Sequence, residues 1–443
     1  MAIRKGLSTG LKDDGPHMQR FAVEPQEFLK ELFAAAVAAV QADRVMASFL
    51  PPPPPAGNLV VVGAGKAAAA MARAVETHYA NDVALSGLVL VPDGYALPCG
   101  RIAVMEAAHP VPDSRGVVGA RRILAMASAA KAEDLVLCLL SGGASALMVL
   151  PAAGIVLEEK QSITRELLAS GAGIQEMNCV RKHLSDIKGG KLAAAVSEAH
   201  TATILISDVV GDDPAVIGSG PTVPDPFTCA EALAVLQKYE IKVPPHIVAL
   251  LRDGGLETPK HLPKNASLKI AARPKDALAA AEEKVRAAGL HVINLGDACE
   301  GEAKTVALEH ARLALAVREG RNTVKPPCVI LSGGELVVTH RDGGRGGPNT
   351  EYALALAAAL DGRPGVWGLA ADTDGRDGNS GAAGAMFGPS TLHKATARGL
   401  DQANALSRHD SARFFEGVDG LLQTGPTYTN VNDFRAILIL PQD

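Results

Sequence analysis

The stretch LVVVGAGKAAAAMARAVE, residues 59–76, decides the fold. A β-branched apolar run ends in a Gly-X-Gly turn and passes at once into an alanine-rich helical pattern. That is the strand–turn–helix opening of a dinucleotide-type α/β sheet. Gly63, Gly65 and Ala68 fit Gly-X-Gly-X-X-Ala. A nicotinamide site also wants an acid about 20 positions on to hold the ribose. The nearest candidate, Asp93 in VPDG, comes late. Lys66 lies inside the turn, close to a helix N-terminus, where the dipole disfavours a cation and a bound anion would explain it. The Walker A pattern Gly-X-X-X-X-Gly-Lys-Ser/Thr is absent. Three readings stay open here: tight strand–helix packing alone, nucleotide binding, or another phosphate role.

Outward from this stretch, apolar runs alternate with helical patterns. Strands are expected at 59–63, 87–91, 135–140, 202–207, 268–272, 291–295, 328–332, 366–371 and 435–440. Helical patterns lie between them, among them 66–80, 115–130, 174–187, 275–288 and 350–360. Alternation with buried β-branched runs predicts an α/β protein built on mostly parallel sheets covered on both faces. PPPPP at 51–55 is a stiff spacer. The Pro-, Gly- and charge-rich segment 241–266 places a boundary near 262. The expected units are a tail at 1–25, a Rossmann-like domain at 26–262 and a smaller α/β domain at 263–443.

The chain has 443 residues, enough for two or three domains of ~100–200 residues each. A net charge of -5 leaves no basic field for nucleic acid. The six cysteines include no Cys-X-X-Cys pair and read as reduced, mostly buried thiols. No His-Glu-X-X-His pattern points to zinc. No apolar run reaches the ~20 residues that span a bilayer, so no membrane partner is expected and the cytoplasm is the default location.

In open α/β sheets ligands bind beyond the C-terminal strand ends. After the expected strands come GAGK, SGGAS (141–145), SDVVGDD (207–213), SGGE (332–335), GGRGGPN (343–349) and DTDGRDGN (372–379). Glycine loops let backbone N–H groups approach phosphate oxygens. Asp208 ends a strand, as suits a general base or Mg²⁺ as much as a turn. DTDGRDGNSG is no EF-hand, because Arg376 and Ala383 stand where ligands are needed. It reads as an acidic loop lining a cleft. Arg181, Lys182, His183, Lys188 and Lys191 form either a solvated basic face or an anion clamp. Arg345, between glycine pairs, is either a surface arginine or a planar cation set to stabilise a transferring phosphoryl group.

Together SGGASAL, EMNCVRKHLSDIKGGKLA, SDVVGDDPAVIGSGPTVPD, GGRGGPNTEYALALA, AADTDGRDGNSGAAGA and TGPTYTNVNDF resemble the class II glycerate kinases, which carry a C-terminal MOFRL domain. Members have sometimes been labelled hydroxypyruvate reductases. The resemblance covers roughly 26–440, with the motifs in family order. It implies a Rossmann-like N-terminal domain, a smaller MOFRL domain, and an active site in the cleft between them. It implies transfer of the ATP γ-phosphate to D-glycerate with Mg²⁺, giving 2-phosphoglycerate, and puts Lys66 and Arg345 at the reaction centre. Asn349 keeps the family's residue.

Chemistry suggests further roles. Gly63 and Gly65 shape the nucleotide loop. Backbone N–H groups of Ser141, Gly142, Gly143 and Ser145, and of Ser332, Gly333 and Gly334, would cradle phosphates or a carboxylate. Asp208, then Asp372, would orient or deprotonate the C2 hydroxyl. Glu335 or Asp374 would hold Mg²⁺. Arg181 or Lys182 would pair with the glycerate carboxylate. The expected assembly is a monomer or homodimer. The rivals are an NAD(P)H-dependent hydroxypyruvate reductase and a non-catalytic metabolite-sensing module.

Overall fold

The computed structural model describes residues 24–196, 198–263, 265–339 and 343–441. Residues 1–23 of the expected tail, and His340–Asp342 ahead of the Arg345 loop, lie outside the described residues.

The first sheet consists of β1 (Leu59–Ala64), β2 (Leu85–Pro92), β3 (Ile102–Ala107), β4 (Leu135–Leu140), β5 (His200–Ile206) and β6 (Ala266–Ala272). Its order is β3-β2-β1-β4-β5-β6, and each neighbouring pair is parallel. This is the doubly wound dinucleotide-fold order, which reverses between β1 and β4 and opens a crevice beyond their C-terminal ends. β1 and β4 are buried throughout, as a parallel strand covered on both faces must be. The helix Ala68–His78 covers one face and the helix Ser114–Ser128 the other.

The second sheet departs from the expected parallel layout. It holds β7 (His291–Asn294), β9 (Cys328–Ser332), β11 (Val366–Asp372), β12 (Gly384–Phe387), β13 (Leu421–Leu422) and β14 (Asp433–Ile439), in the order β13-β12-β11-β14-β9-β7. Only β7 and β9 run parallel; the other neighbours are antiparallel. A two-stranded parallel ribbon of β8 (Gly301–Glu302) and β10 (Leu336–Val337) stands apart. Strand direction depends on which partner a strand finds, and an apolar run carries no record of that.

The partition near 262 also differs from the hydrogen bonding. β6, expected to open the second unit, is the edge strand of the first sheet, paired with β5 from Thr201↔Ala266 to Ile206↔Ala272. Conversely, the helix Pro25–Ala39 opens the first unit in sequence yet packs against the helix Pro274–Ala287 and β14. Phe28, Leu29, Leu32 and Phe33 are buried there in one continuous core. That core runs from Leu59 and Val61 of the first sheet to Val329, Leu369 and Phe434 of the second. Burial of each such side chain contributes roughly 1.5–3 kcal/mol. Among the described residues no helix is long and apolar enough to cross a membrane.

Candidate active site

The turn after β1 and the turn after β4 interlock at the crevice. Lys66 donates its backbone N–H to the carbonyl of Gly142 at 2.8 Å, and Ser141 donates its own to Ala64 at 3.1 Å. The Ala67 N–H is taken by Ser141 Oγ at 3.0 Å. Gly65 holds φ at +136°, and a Cβ there would lie 2.1 Å from Ser141 Oγ, so only glycine lets the two turns close on each other. Gly63 lies within β1, opposite Leu139 of β4. The backbone donors that would cradle a dinucleotide pyrophosphate are therefore occupied by the neighbouring loop. Asp93, the candidate ribose acid, is also engaged, by both terminal nitrogens of Arg115 at 2.7 and 2.9 Å.

This interlock aims the Lys66 side chain across the cleft. Its ammonium is ion-paired to Asp374, in the turn after β11, and the Asp374 side chain is 1% exposed. The anion that accounts for a lysine beside a helix N-terminus is thus the protein's own. Burial alone would pull the Lys66 ammonium down. The carboxylates of Asp374, Asp372 and Asp208 outweigh it and hold the ammonium above its ordinary value. Asp372 is pushed well above the usual carboxylate range, by burial first and by the charge of Asp374 second.

Asp208, at the end of β5, accepts from Asn430 Nδ2 at 3.0 Å. Burial pushes its carboxyl up to about 6, against the pull of Lys66. Gly142 lies directly against both groups: a Cβ there would fall 2.1 Å from Asn430 Nδ2 and 2.1 Å from Asp208 Oδ2. Glu335 is exposed at the cleft, where desolvation by the surrounding walls and the charges of Asp208 and Asp433 push it up to about 7. His109, after β3, sits near Gly143 and Lys66. Burial and the Lys66 charge lower it to about 4, so its imidazole is neutral near pH 7.

Several expected residues are placed elsewhere. Lys182 is buried in an ion pair with Asp225 at 3.2 Å and is not available to a carboxylate ligand. Arg181, its neighbour, points the other way and donates to Ser145 Oγ at 2.6 Å. The Ser332–Gly334 turn is partly engaged within the protein. Gly333 donates its N–H to Gly296 at 2.9 Å, Ser332 Oγ accepts from Arg435 Nε at 3.2 Å, and Gly334 accepts from the Asp433 N–H at 3.2 Å. The Gly333 donor is therefore taken within the protein. Asn349 donates to Asp433 Oδ1 at 2.6 Å, and its N–H is taken by Asp377 Oδ1 at 2.8 Å. Asp377 thus caps the helix Pro348–Leu360 where an anion would otherwise bind.

Each Asp374 oxygen already has a partner, Lys66 on one and the Arg376 N–H at 2.7 Å on the other. Arg345 pairs with Glu416 at 3.1 Å and its N–H reaches Asp410 at 2.9 Å, so these partners lie outside the Lys66 cluster; its Nε is buried without a partner. Sequence reasoning passed over His109, Asn430 and Arg435. Asn430 lies within TNVNDF, a motif of the family resemblance that carries no local sign of its contact with Asp208. The one His/Cys/Asp/Glu grouping tight enough for a single ion among the described residues is His183, Cys229 and Glu257, away from this cluster, with Lys260 on Glu257 at 2.7 Å.

A doubly wound sheet, a second α/β unit and a lysine–carboxylate centre at the switch point between them define an α/β enzyme of the two-domain, cleft-site class. Residues 28–252 match a family described as a domain of unknown function, DUF4147, and residues 328–433 match the MOFRL family. The chain belongs to the glycerate kinase family that joins these two domains. The glycerate 2-kinase of Pyrococcus horikoshii is 41% identical over 383 residues, covering 85% of this chain and 86% of that protein. The crystal structure of Thermotoga maritima glycerate kinase superposes with a TM-score of 0.85 at 36% identity, over 94% of this chain and 100% of that one. An Agrobacterium vitis protein with the provisional name hydroxypyruvate reductase is 46% identical over 431 residues, 97% of this chain and 98% of its own length.

Proposed function

We propose that this protein transfers the γ-phosphoryl group of ATP to the C2 hydroxyl of D-glycerate, giving 2-phosphoglycerate and ADP. The observation that carries the reading is Lys66: a largely enclosed cation, set by the first crossover turn of a nucleotide-type sheet, meeting carboxylates from both units. Phosphoryl transfer is mostly positioning and charge stabilisation, and Lys66 supplies the charge. Asp208 accepts the hydroxyl proton as the new O–P bond forms and the bond to the bridging oxygen of ADP breaks. Arg345 exchanges Glu416 for the transferring group. The reductase alternative is not favoured, because the first-turn donors and Asp93 are already engaged within the protein.

The acidic surroundings also suit Mg²⁺, a hard cation that takes oxygen ligands. Asp372 and Glu335 would hold it. When bound to the nucleotide, the ion neutralises charge on the β- and γ-phosphates. The same reading carries a cytoplasmic enzyme acting as a monomer or homodimer.

Incubation with ATP and D-glycerate, followed by phosphorus NMR, tests the assignment. The expected products are ADP and 2-phosphoglycerate. NADH oxidation by hydroxypyruvate without ADP formation in the first mixture would overturn it.

The pH profile supplies a second test. Asp208 must be ionised to accept the proton, so kcat/KM falls about tenfold per pH unit below roughly pH 6. The folded pKa lies above the unfolded value of about 3.9, so this group disfavours the fold above pH 6. That penalty fades as the pH falls toward 4. The acid limb of activity therefore appears without unfolding by Asp208. Asp208→Asn should lower kcat roughly 10²–10⁴-fold and remove that limb; an unchanged limb in the variant would rule Asp208 out as its source.

A further inference from the structure

Behind the SGGAS turn lies a second cluster, separate from the carboxylates around Lys66. Arg181 and Lys188 converge there on Ser145, and Lys160 lines the same cavity. Arg181 donates through Nη2 to Ser145 Oγ at 2.6 Å. Lys188, 1% exposed, donates to the Ser145 carbonyl at 2.8 Å and to Gly218 at 3.4 Å. Lys160, 5% exposed, caps the carbonyls of Arg181 and Leu184 at 2.9 and 2.8 Å. Among the described residues none of the three is ion-paired with a carboxylate; Asp186 bears on Lys160 only at longer range. They border a cavity of about 160 Å³ whose outer wall is Pro110–Pro112 and Thr164.

Three cations gathered out of water without a carboxylate are costly unless an anion completes them. A further buried donor lies beside them. Asn178, 3% exposed and one helical turn before Arg181, leaves its Nδ2 without a partner, while its Oδ1 accepts from Ser219 Oγ at 3.4 Å. Ser219 Oγ in turn meets Ser145 Oγ at 2.8 Å. Arg181 spends one donor on Ser145 and keeps the rest of its planar fork, which suits a carboxylate.

The cavity is well below the ~300–1,000 Å³ of pockets that enclose drug-sized ligands, so it admits a small acid rather than a nucleotide. Gly143 links it to the reaction centre: a Cβ at Gly143 would lie 3.1 Å from His109 Nε2 and 3.6 Å from Lys66 Cγ. Ser145 follows two residues later, within about 7.6 Å along the backbone. The pocket and the Lys66–His109 side of the cleft are thus neighbours across the SGGAS turn.

We propose that the Arg181–Lys188–Ser145 pocket holds the carboxylate of the acid substrate and so selects hydroxy acids over neutral polyols. The proposal rests on the phosphotransferase reading above. Burial, then the charge of Arg181, pushes the Lys160 and Lys188 ammonium groups well below their ordinary values. A bound carboxylate reverses that pressure and draws protons onto them.

The test compares the wild type with Arg181→Gln and Arg181→Lys, using D-glycerate and its neutral amide, glyceramide, as acceptors with ATP. The wild type should favour glycerate by at least 10³-fold in kcat/KM. Arg181→Gln should raise KM for glycerate by roughly 10²-fold, leave KM for ATP within threefold and shrink the preference to below tenfold. Arg181→Lys should recover part of the preference, an outcome that loss of folding alone would not produce. An increase in KM for ATP instead would assign the pocket to nucleotide phosphate and overturn the proposal, as would an unchanged preference. A wild type that phosphorylates neither acceptor fails the kinase reading itself. Direct titration of glycerate into wild type and Arg181→Gln without ATP then decides the pocket separately, and equal affinity overturns it.

Discussion

Lys66→Met will lower kcat for glycerate phosphorylation by roughly 10³-fold or more. Preorganised charges aimed at a transferring phosphoryl group are worth about 10³–10⁵ in rate, and methionine preserves the length of the side chain without its charge. The substitution also removes the partner of Asp374, whose side chain is 1% exposed. Breaking a buried pair from one side costs about 3–5 kcal/mol, so Tm should fall as well. The two effects separate with pH. Without the lysine, the buried Asp372 carboxylate escapes the penalty by taking up a proton. The Asp372 carboxyl, already held above its ordinary range by burial, loses the opposing pull of Lys66, so part of the lost stability returns as the pH falls. Activity does not return with it. Turnover within threefold of wild type at pH 7.5 would remove Lys66 from the reaction.

Gly142→Ala should be almost as damaging for a different reason. The added methyl would fall 2.1 Å from Asn430 Nδ2 and from Asp208 Oδ2, so neither can stay where it is. The 3.0 Å bond between them joins the two units across the cleft. Overpacking of this kind costs about 1–3 kcal/mol, small enough for the fold to survive. Misplacing a catalytic carboxylate by an ångström costs on the order of 10² in rate. The expected result is a folded protein with kcat reduced about 10²-fold or more. Gly100→Ala is the control, since a Cβ there meets nothing nearer than Glu76 Oε2 at 3.8 Å. Equal activity in the two variants would mean that the Asp208–Asn430 contact does not matter.

Much of this arrangement was legible in the chain. β1, β4 and β9 fall within a residue of their expected spans because each is a short apolar run bounded by glycine. β3 was missed because it is half-exposed, with the burial of an edge strand and no clean alternation. The DTDGRDGN segment was readable as an acidic loop on the cleft, and Asp374 does meet Lys66 there. That the two would pair was not readable, since 308 positions separate them and no local pattern encodes the partner. The Ser-Gly-Gly turns after β4 and β9 look alike in sequence and differ in surroundings. One faces the cleft beside Asp208; the other is filled by the Arg435 guanidinium. Arg181 and Lys182 are adjacent, yet about 100° of helical rotation sends one to Ser145 and the other to Asp225.

The helix Pro25–Ala39 has a bearing on how the molecule is made. Its ring contact, Phe33 with Phe434 at 5.9 Å, and the Thr429 hydroxyl bond to the Val40 carbonyl at 2.9 Å join the beginning of the described chain to its end. At the ~5–20 residues per second of synthesis, the apolar face of that helix emerges from the ribosome tens of seconds before β14 exists to cover it. The first sheet can form while the chain is still growing. The layer that fastens the two units together must wait for β14, so it forms late, and an exposed amphipathic helix must be kept from wrong partners until then.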